Sequence, residues 1–406
     1  MRILYFAPHP VCPLTTGARL RDYHCARQLA RRAEVTFVEM CSAGESESVV
    51  PSDAGFVRVC TLTRDRSYTV GKILGGLLGP VPVTVLNYSS RRMEGELGRL
   101  MATHGPFDSV QLEGVHLSQF IAAMRACSGG AALVADWHNI ESELMWRYSS
   151  AERNPAKRIV AKRTARLLEG CERDLIAGCD GHTTASERER DILRQRFPDA
   201  SLHVIPNGVE TAYYEGDGVE QRSRQRSLLF VGSMDYHANI DAVRWFAAET
   251  WPLIVKEIRD CVFTVVGRSP GPAIRALANG GIRVTGTVDD VRPYYKDAFA
   301  VVVPLRIGSG TRLKILEAMA AGVPVIASRL GAEGIDAIHE RHILIADTPE
   351  ETAAAVRRLR AHPEAGARLA EEAHRLVRNN YDWSVVGARL YDVHCGLMER
   401  MRKDGV

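Results

Sequence analysis

The sequence predicts an α/β chain of two facing doubly wound, Rossmann-like domains. Three observations predict it. Short apolar runs alternate with helix-length stretches along the whole chain, the rhythm of a parallel sheet covered on both faces. The alternation stops at a polar, charged stretch, 216–227, read as the join, and then starts again. A fully apolar run at 298–303 closes on Pro304, which is the pattern of a strand buried on both sides.

In the first half, 3–7 reads as a strand and 9–17 as a loop with Pro10, Pro13 and Gly17. A helix is expected over 18–31 and a strand over 35–40. Residues 42–54 are polar and acidic, hence a loop, and 56–62 is a third strand. Helix 89–104, strand 108–112, helix 116–127 and strand 132–136 follow, the last running into D-W-H-N-I-E. A long helix is expected over 155–178 and a strand over 181–185. The apolar run from 202 breaks at Pro206-Asn207-Gly208, a strong turn signal. The second half opens with strand 228–231 and Gly232-Ser233, then helix 239–258 and strand 263–266 with Gly267-Arg268. Strand 282–284, helix 289–296, strands 298–303, 323–327 and 343–345, and helices 349–361 and 366–379 complete it. A last helix runs from Asp382-Trp383 to about 401. The expected domains are 1–208, 209–380, and a C-terminal segment 381–406 packing back across the cleft.

Composition narrows the function classes. The chain has 406 residues, 46% hydrophobic and 25% charged, which is ordinary globular material. A net charge of +3 is too small to argue for nucleic acid. The nine cysteines include no C-x-x-C pair and no zinc-spaced Cys/His cluster, as expected of thiols kept reduced in a cytoplasm. Met1-Arg2 leads straight into the first strand, so no signal peptide is expected. The stretch 71–86 is nearly uncharged and glycine-rich, but shorter than a bilayer requires. It is open between a buried loop and a surface lid or edge touching a lipid-linked acceptor. The basic stripe Lys157, Arg158, Lys162, Arg163 and Arg166 is likewise open between a solvated face and a membrane dock. The first loop lacks G-x-G-x-x-G, and no acid closes the second strand in a dinucleotide-like way. A nicotinamide or flavin cofactor is therefore not expected.

The strongest chemical signal is P-L-R-I-G-S-G-T-R-L-K-I-L-E-A-M-A-A-G-V-P-V-I-A-S at 304–328. Gly308, Ser309 and Gly310 make a turn poor in side chains. A helix is expected from Thr311 to Ala321, stopped by Gly322 and Pro324. The first amides of a helix are unpaired and partly positive, so a diphosphate placed there gains hydrogen bonds and dipole together. Arg312 and Lys314, either side of Leu313, add full charge, and Glu317 is placed to accept hydrogen bonds from a ribose diol. The segment thus reads as a seat for a nucleoside diphosphate. Asp289-Asp290 opens a helix and reads as a capping pair rather than a metal site, so no metal is expected.

Taken in order, V-I-P-N-G-V at 204–209, L-L-F-V-G-S-M at 228–234, V-V-G-R at 265–268, R-V-T-G-T-V at 283–288, the block above and G-A-E-G at 331–334 resemble the glycosyltransferases of the GT-B fold. The resemblance is to family 4, the retaining, nucleotide-sugar-dependent enzymes, and more softly to its exopolysaccharide-type sugar transferases. It implies that Glu317 holds the ribose, that Arg268 contacts the diphosphate, and that Gly17 approaches the donor phosphates or the acceptor. It places His138 by the donor sugar and Glu333 near the sugar or phosphates, the two residues nominated as catalytic. Ser309, Gly310, Thr311, Arg312, Leu313 and Lys314 complete the donor set. Two departures stand out. Ser309 replaces the first Glu of the family's E-x7-E motif, and no Lys follows Arg268, so Lys314 or Arg312 is expected to supply that charge. Glu113 reads either as a general base or as a plain loop acid.

The resemblance implies a metal-independent hexosyltransferase with a nucleotide-sugar donor and a sugar, glycan or lipid-linked acceptor. The donor is a substrate, and no cofactor is implied. The expected location is cytoplasmic, with contact at the inner membrane face left open. An epimerase or hydrolase on the same architecture, or a donor-binding pseudoenzyme, stays open beside it.

Overall fold

The computed structural model describes residues 1–42, 49–214, 226–308 and 312–403. Seven strands form the first sheet: β1 (Arg2–Ala7), β2 (Glu34–Ser42), β3 (Arg58–Arg64), β4 (Ser109–Glu113), β5 (Ala132–Trp137), β6 (Gly181–Thr184) and β7 (Leu202–Val204). Their order is β3-β2-β1-β4-β5-β6-β7, every neighbouring pair parallel. Because β1 lies between β2 and β4, the winding reverses beside it. Such reversals open a crevice outside the carboxyl ends of the strands. β1 and β5 are buried along almost their whole length, as expected of strands covered by helices on both faces.

The second sheet repeats the scheme. β8 (Ser227–Val231), β9 (Val262–Val266), β10 (Ile282–Gly286), β11 (Ala298–Val303), β12 (Val325–Ala327) and β13 (Leu344–Ile345) lie in the order β10-β9-β8-β11-β12-β13, again all parallel. Here the reversal falls beside β8. β11 is wholly buried, which is why its sequence carries no alternation.

The chain divides into two compact units. The first comprises Met1–Pro206 and the chain from Val386 onward; the second is Asn207–Val385. The changeover therefore comes before the polar stretch read as the join. The last helix, Trp383–Lys403, is not a body of its own. Trp383 is buried in the second unit, where a Cβ on Gly208 would lie 2.6 Å from its ring. Farther along, His394 Nδ1 meets Ser109 Oγ at 2.7 Å and Leu397 packs on Gly181, both in the first unit.

Several elements differ from expectation for identifiable reasons. The stretch 71–86 is largely helical, and most of its first helix is exposed, with Gly76, Pro82 and Val85 buried. It forms helices Val70–Leu78 and Val83–Leu86, the first capped by Thr69, whose side chain accepts from the Lys72 amide. The helix expected over 239–258 is three pieces: His237–Trp245, a π turn Phe246–Thr250, and Trp251–Glu257. Pro252 has no amide hydrogen and its ring crowds the carbonyl four residues back, so the ladder shifts ahead of it. The helix expected over 116–127 opens as a 3-10 stretch, Val115–Phe120, before Ile121–Cys127. An unexpected helix, Glu187–Arg196, is capped by Ser186, whose hydroxyl accepts from the Glu189 amide. Among the described residues no helix is long and apolar enough to cross a membrane.

Candidate active-site centres

In the first unit, residues from two strand ends and one helix meet around a single imidazole. Glu113 ends β4, Asp136 lies at the end of β5, His138 follows it, and Asp22 comes from the helix Gly17–Ala30. His138 Nε2 lies 2.7 Å from Glu113 Oε2, 3.1 Å from Asp22 Oδ1 and 3.3 Å from Asp136 Oδ2. His9, in the loop after β1, reaches Asp22 Oδ2 at 3.4 Å. All three carboxylates are buried, while His138 and His9 keep an exposed edge.

Such a concentration of acid needs compensation. Arg21 supplies part of it. Its guanidinium grips Asp136 through two bonds, of 2.9 and 2.7 Å, and donates to the Ile205 carbonyl at 2.8 Å. Thr183 Oγ1 donates to Asp136 Oδ1 at 2.5 Å. Burial opposes the ionised form of Asp136, but Arg21 outweighs it and holds the carboxyl below its usual range. Burial likewise opposes an imidazolium at His138; Asp22, then Glu113 and Asp136, outweigh it and hold the ring protonated well above the ordinary histidine value. Glu113 moves the other way. Burial, and then Asp136 and Asp22, push it up to about 7, while Gln111 donates to its other oxygen at 3.1 Å. Glu113 and His138 share one short contact. Together they can hold or release a proton near neutrality, which suits general acid–base work. Asp22, Glu113 and His138 also offer atoms close enough together to hold a metal ion.

Gly17 is the first residue of its helix, exposed, behind the Thr16 cap, whose hydroxyl accepts from the Arg19 amide at 3.3 Å. The sequence pointed to His138 and raised Glu113. It missed Asp22, His9 and the buried role of Arg21, because only the helix register turns Arg21 and Asp22 inward.

In the second unit the site is built on backbone proximity and cations. A Cβ on Gly267, after β9, would lie 1.8 Å from the Gly232 carbonyl oxygen, after β8. A Cβ on Gly232 would lie 2.6 Å from Lys314 Nζ. Two strand ends thus touch where any side chain would block them, and the space belongs to a lysine. Lys314 Nζ donates to Asn239 Oδ1 at 2.7 Å and lies 4.2 Å from the centre of the Phe230 ring. Asn239 Nδ2 donates to the Ser233 carbonyl at 2.8 Å. Arg268 Nε donates to Ser233 Oγ at 2.8 Å, and its Nη2 stands 3.5 Å from Asp235. A continuous polar chain therefore runs from Lys314 through Asn239 and Ser233 to Arg268. Burial, and then Arg312, lower the Lys314 ammonium to about 7 against the pull of Glu317.

The helix read as starting at Thr311 starts at Leu313 and ends at Ala320, with Arg312 as an extended, largely buried cap residue. Ser309, Gly310 and Thr311 lie outside the described residues. Glu317 is half-buried, and Tyr295 Oη donates to its Oε2 at 2.9 Å. Tyr214 bonds the same carboxylate. Burial raises the Glu317 pKa in spite of both phenols and Lys314. Glu333 lies in the turn after β12. That turn passes over the end of β11, where a Cβ on Gly331 would be 2.5 Å from the Val303 carbonyl oxygen. The two residues nominated as catalytic, His138 and Glu333, thus belong to different units. Asn239, Tyr214 and Tyr295 were not singled out from sequence. Gly-Ser and Gly-Arg closing two successive strands were the available signal for the first of them.

Two doubly wound lobes, each with polar groups gathered where its strand order reverses, define a two-domain α/β architecture. Residues 21–213 match the model described as Glycosyltransferase Family 4, and residues 225–362 match Glycosyl transferases group 1. The chain belongs to the GT-B glycosyltransferases of family 4. It is 32% identical over 205 residues to a phosphatidyl-myo-inositol mannosyltransferase of Mycolicibacterium smegmatis, covering 47% of this chain and 50% of that protein. The chain spans about half the length of the curated relatives it matches. Among solved structures it shares the fold of a sucrose-phosphate synthase from Thermosynechococcus elongatus, with a TM-score of 0.69 at 16% identity, covering 98% of this chain and 100% of that one. Anabaena HepE in complex with UDP gives 0.66 at 14% identity, with the same coverage.

Proposed function

We propose that this protein moves a sugar from a nucleoside-diphosphate sugar to an acceptor hydroxyl with retention of configuration. The observation that carries the reading is the Lys314–Asn239–Ser233–Arg268 chain laid over two touching glycine strand ends. A diphosphate is narrow, doubly charged and rich in acceptors. It fits a place where backbone approaches closely and two cations are tied to one polar frame.

In the proposed reaction the acceptor oxygen forms a bond to the anomeric carbon on the face the diphosphate leaves. The bond from that carbon to the phosphate oxygen breaks, and the acceptor proton passes to the departing phosphate. Charge grows on the leaving group, so Arg268 and Lys314 stabilise the transition state more than the bound donor. Arg312, Leu313 and the turn of Ser309, Gly310 and Thr311 complete the phosphate seat. Glu317, steadied by Tyr295, receives the ribose diol. His138, with Glu113 behind it, and Glu333 act on sugar hydroxyls and on the acceptor. Cationic side chains take the charge that a metal takes elsewhere, so chelator leaves the rate unchanged in this reading. Gly17 serves the phosphates or the acceptor. The donor acts as a substrate, and no other cofactor enters.

The test is calorimetry with UDP-, GDP- and ADP-sugars, followed by turnover with mixed acceptors. HepE was solved with UDP-glucose and the mannosyltransferase is named for mannosyl transfer, so those sugars head the panel. Donor-dependent product with the donor's anomeric configuration, lost in Lys314→Ala and Arg268→Ala, supports the proposal. Inverted product would refute retention. Sugar release without acceptor would make the protein a hydrolase, altered nucleotide-sugar without transfer an epimerase, and binding without turnover a pseudoenzyme.

A further inference from the structure

We propose that the first unit docks on an anionic lipid bilayer through the outer face of helix Val70–Leu78 and the basic turns of helix Pro155–Gly178. The first of these helices is inside out. Its inward face is glycine: a Cβ on Gly76 would lie 2.5 Å from the Val83 amide nitrogen, and one on Gly75 would lie 3.4 Å from Leu86. Its large apolar residues point the other way. Val70 is 74% exposed, Leu74 52% and Leu78 81%, with Ile73 and Leu77 exposed between them. These positions recur every three or four residues, so they form one continuous stripe. An apolar stripe left facing water marks an interaction surface rather than chance exposure.

The neighbouring charge says what covers it. Arg163 Nη2 donates to the Gly79 carbonyl at 2.9 Å, which fixes helix Pro155–Gly178 against the end of the apolar helix. There Ile159 is 67% exposed and Val160 is exposed beside it, flanked by exposed Lys157, Arg158 and Lys162. Apolar side chains ringed by lysine and arginine match an anionic membrane surface. The apolar residues enter the acyl boundary and the cations meet the headgroups. A second copy of the chain is disfavoured as the occupant, because it would bring the same positive charge to the same place. Nine residues are too few to span a bilayer, so the helix lies in the interface. This proposal stands on the first unit alone and does not depend on the transferase reading.

The test is co-sedimentation of the full chain with vesicles of phosphatidylcholine alone and of an equal mixture of phosphatidylcholine and phosphatidylglycerol, at low and high salt. The protein is expected to pellet with the mixed vesicles at low salt and to remain in solution with phosphatidylcholine alone. The double variant Leu74→Glu, Leu78→Glu is expected to lose binding at least about tenfold, and Lys157→Glu, Lys162→Glu about as much. Both pairs are exposed, so melting temperature should be unchanged, and a melt run alongside verifies folding. Two further variants, Leu74→Ser and Leu78→Ser, carry the test if either glutamate variant fails to fold. Wild-type protein that ignores the mixed vesicles, or a folded variant that binds like wild type, overturns the proposal. So does a concentration-dependent dimer in analytical ultracentrifugation that the leucine variant dissociates without any vesicle binding; the stripe would then join copies of the chain.

Discussion

The two units share one winding scheme and dress the same edge of it in opposite chemistry. At the strand ends of the first, three buried carboxylates surround His138, and Arg21 pairs with one of them, Asp136. At the strand ends of the second, glycines let backbones touch while Lys314 and Arg268 hang on a polar frame. The topology decides where groups converge; side-chain charge decides what they handle. An acidic pocket holding a protonated ring suits hydroxyls and protons, and a cationic seat over bare backbone suits phosphate. The first arrangement is also structural, since removing one charge strands another in the interior. In the second, Lys314 pairs with the neutral Asn239, so losing it strands no opposite charge.

That contrast can be broken by experiment. The largest expected effect is on turnover: His138→Ala should lower kcat by about 10²–10⁴-fold with nucleotide affinity unchanged, measured by donor turnover and calorimetry. A shift confined to nucleotide Kd would erase the division of labour. Next, Arg21→Ala should destabilise the first unit by about 3–5 kcal/mol, seen as a lower melting temperature, because Asp136 stays buried without its guanidinium partner. Lys314→Ala should leave the melt nearly unchanged but weaken UDP binding by about 1.5–3 kcal/mol, the worth of a charged hydrogen bond.

The two units also differ in pH dependence. Lys314 is lowered to about 7, so its charged form, the one a phosphate prefers, is present below that and lost as pH rises. UDP affinity should therefore fall between neutral and alkaline pH, by at most about tenfold per unit for a single proton, with a flat profile in Lys314→Ala. In the first unit Glu113 and His138 are both raised. Stability from each is full below the unfolded value and lost as pH rises through the folded one. For Glu113 the loss runs from 4.5 to about 7, and for His138 it begins above 6.5. Melts across that range should show the wild-type advantage over His138→Ala shrinking as pH increases. The smallest effect is Tyr295→Phe, which removes one donor from Glu317 and should change nucleotide binding by about 0.5–1.5 kcal/mol.

β1 and β11 were legible because their buried residues form continuous apolar runs, whereas β4 and β6 are just as buried but carry Ser109, Gln111, Glu113, His182, Thr183 and Thr184. Helix Pro155–Gly178 was legible because Asn154 and Pro155 mark its start. Legibility failed where local signals conflict. Helix Val70–Leu78 is rich in glycine, and nothing in its composition tells that the glycines face inward. The π turn before Pro252 is a compromise between a long apolar pattern and one missing amide. In the candidate sites, residues next to a motif were nominated from the sequence and residues brought in by folding were not. Lys314 and Arg268 sit within recognisable blocks. Asp22 reaches His138 only because a helix turn and two parallel strand ends converge, and Tyr295 reaches Glu317 only from another helix.

The first unit is discontinuous along the chain. The chain leaves it at Pro206 and returns only at Val386, so the second is a guest inserted into its host. During synthesis Ser109 waits for His394, and Gly181 for Leu397, while the whole guest emerges from the ribosome. At about 5–20 residues per second that interval is on the order of tens of seconds. The nascent host spends it with one seam open, whereas the guest, already contiguous, is free to close first.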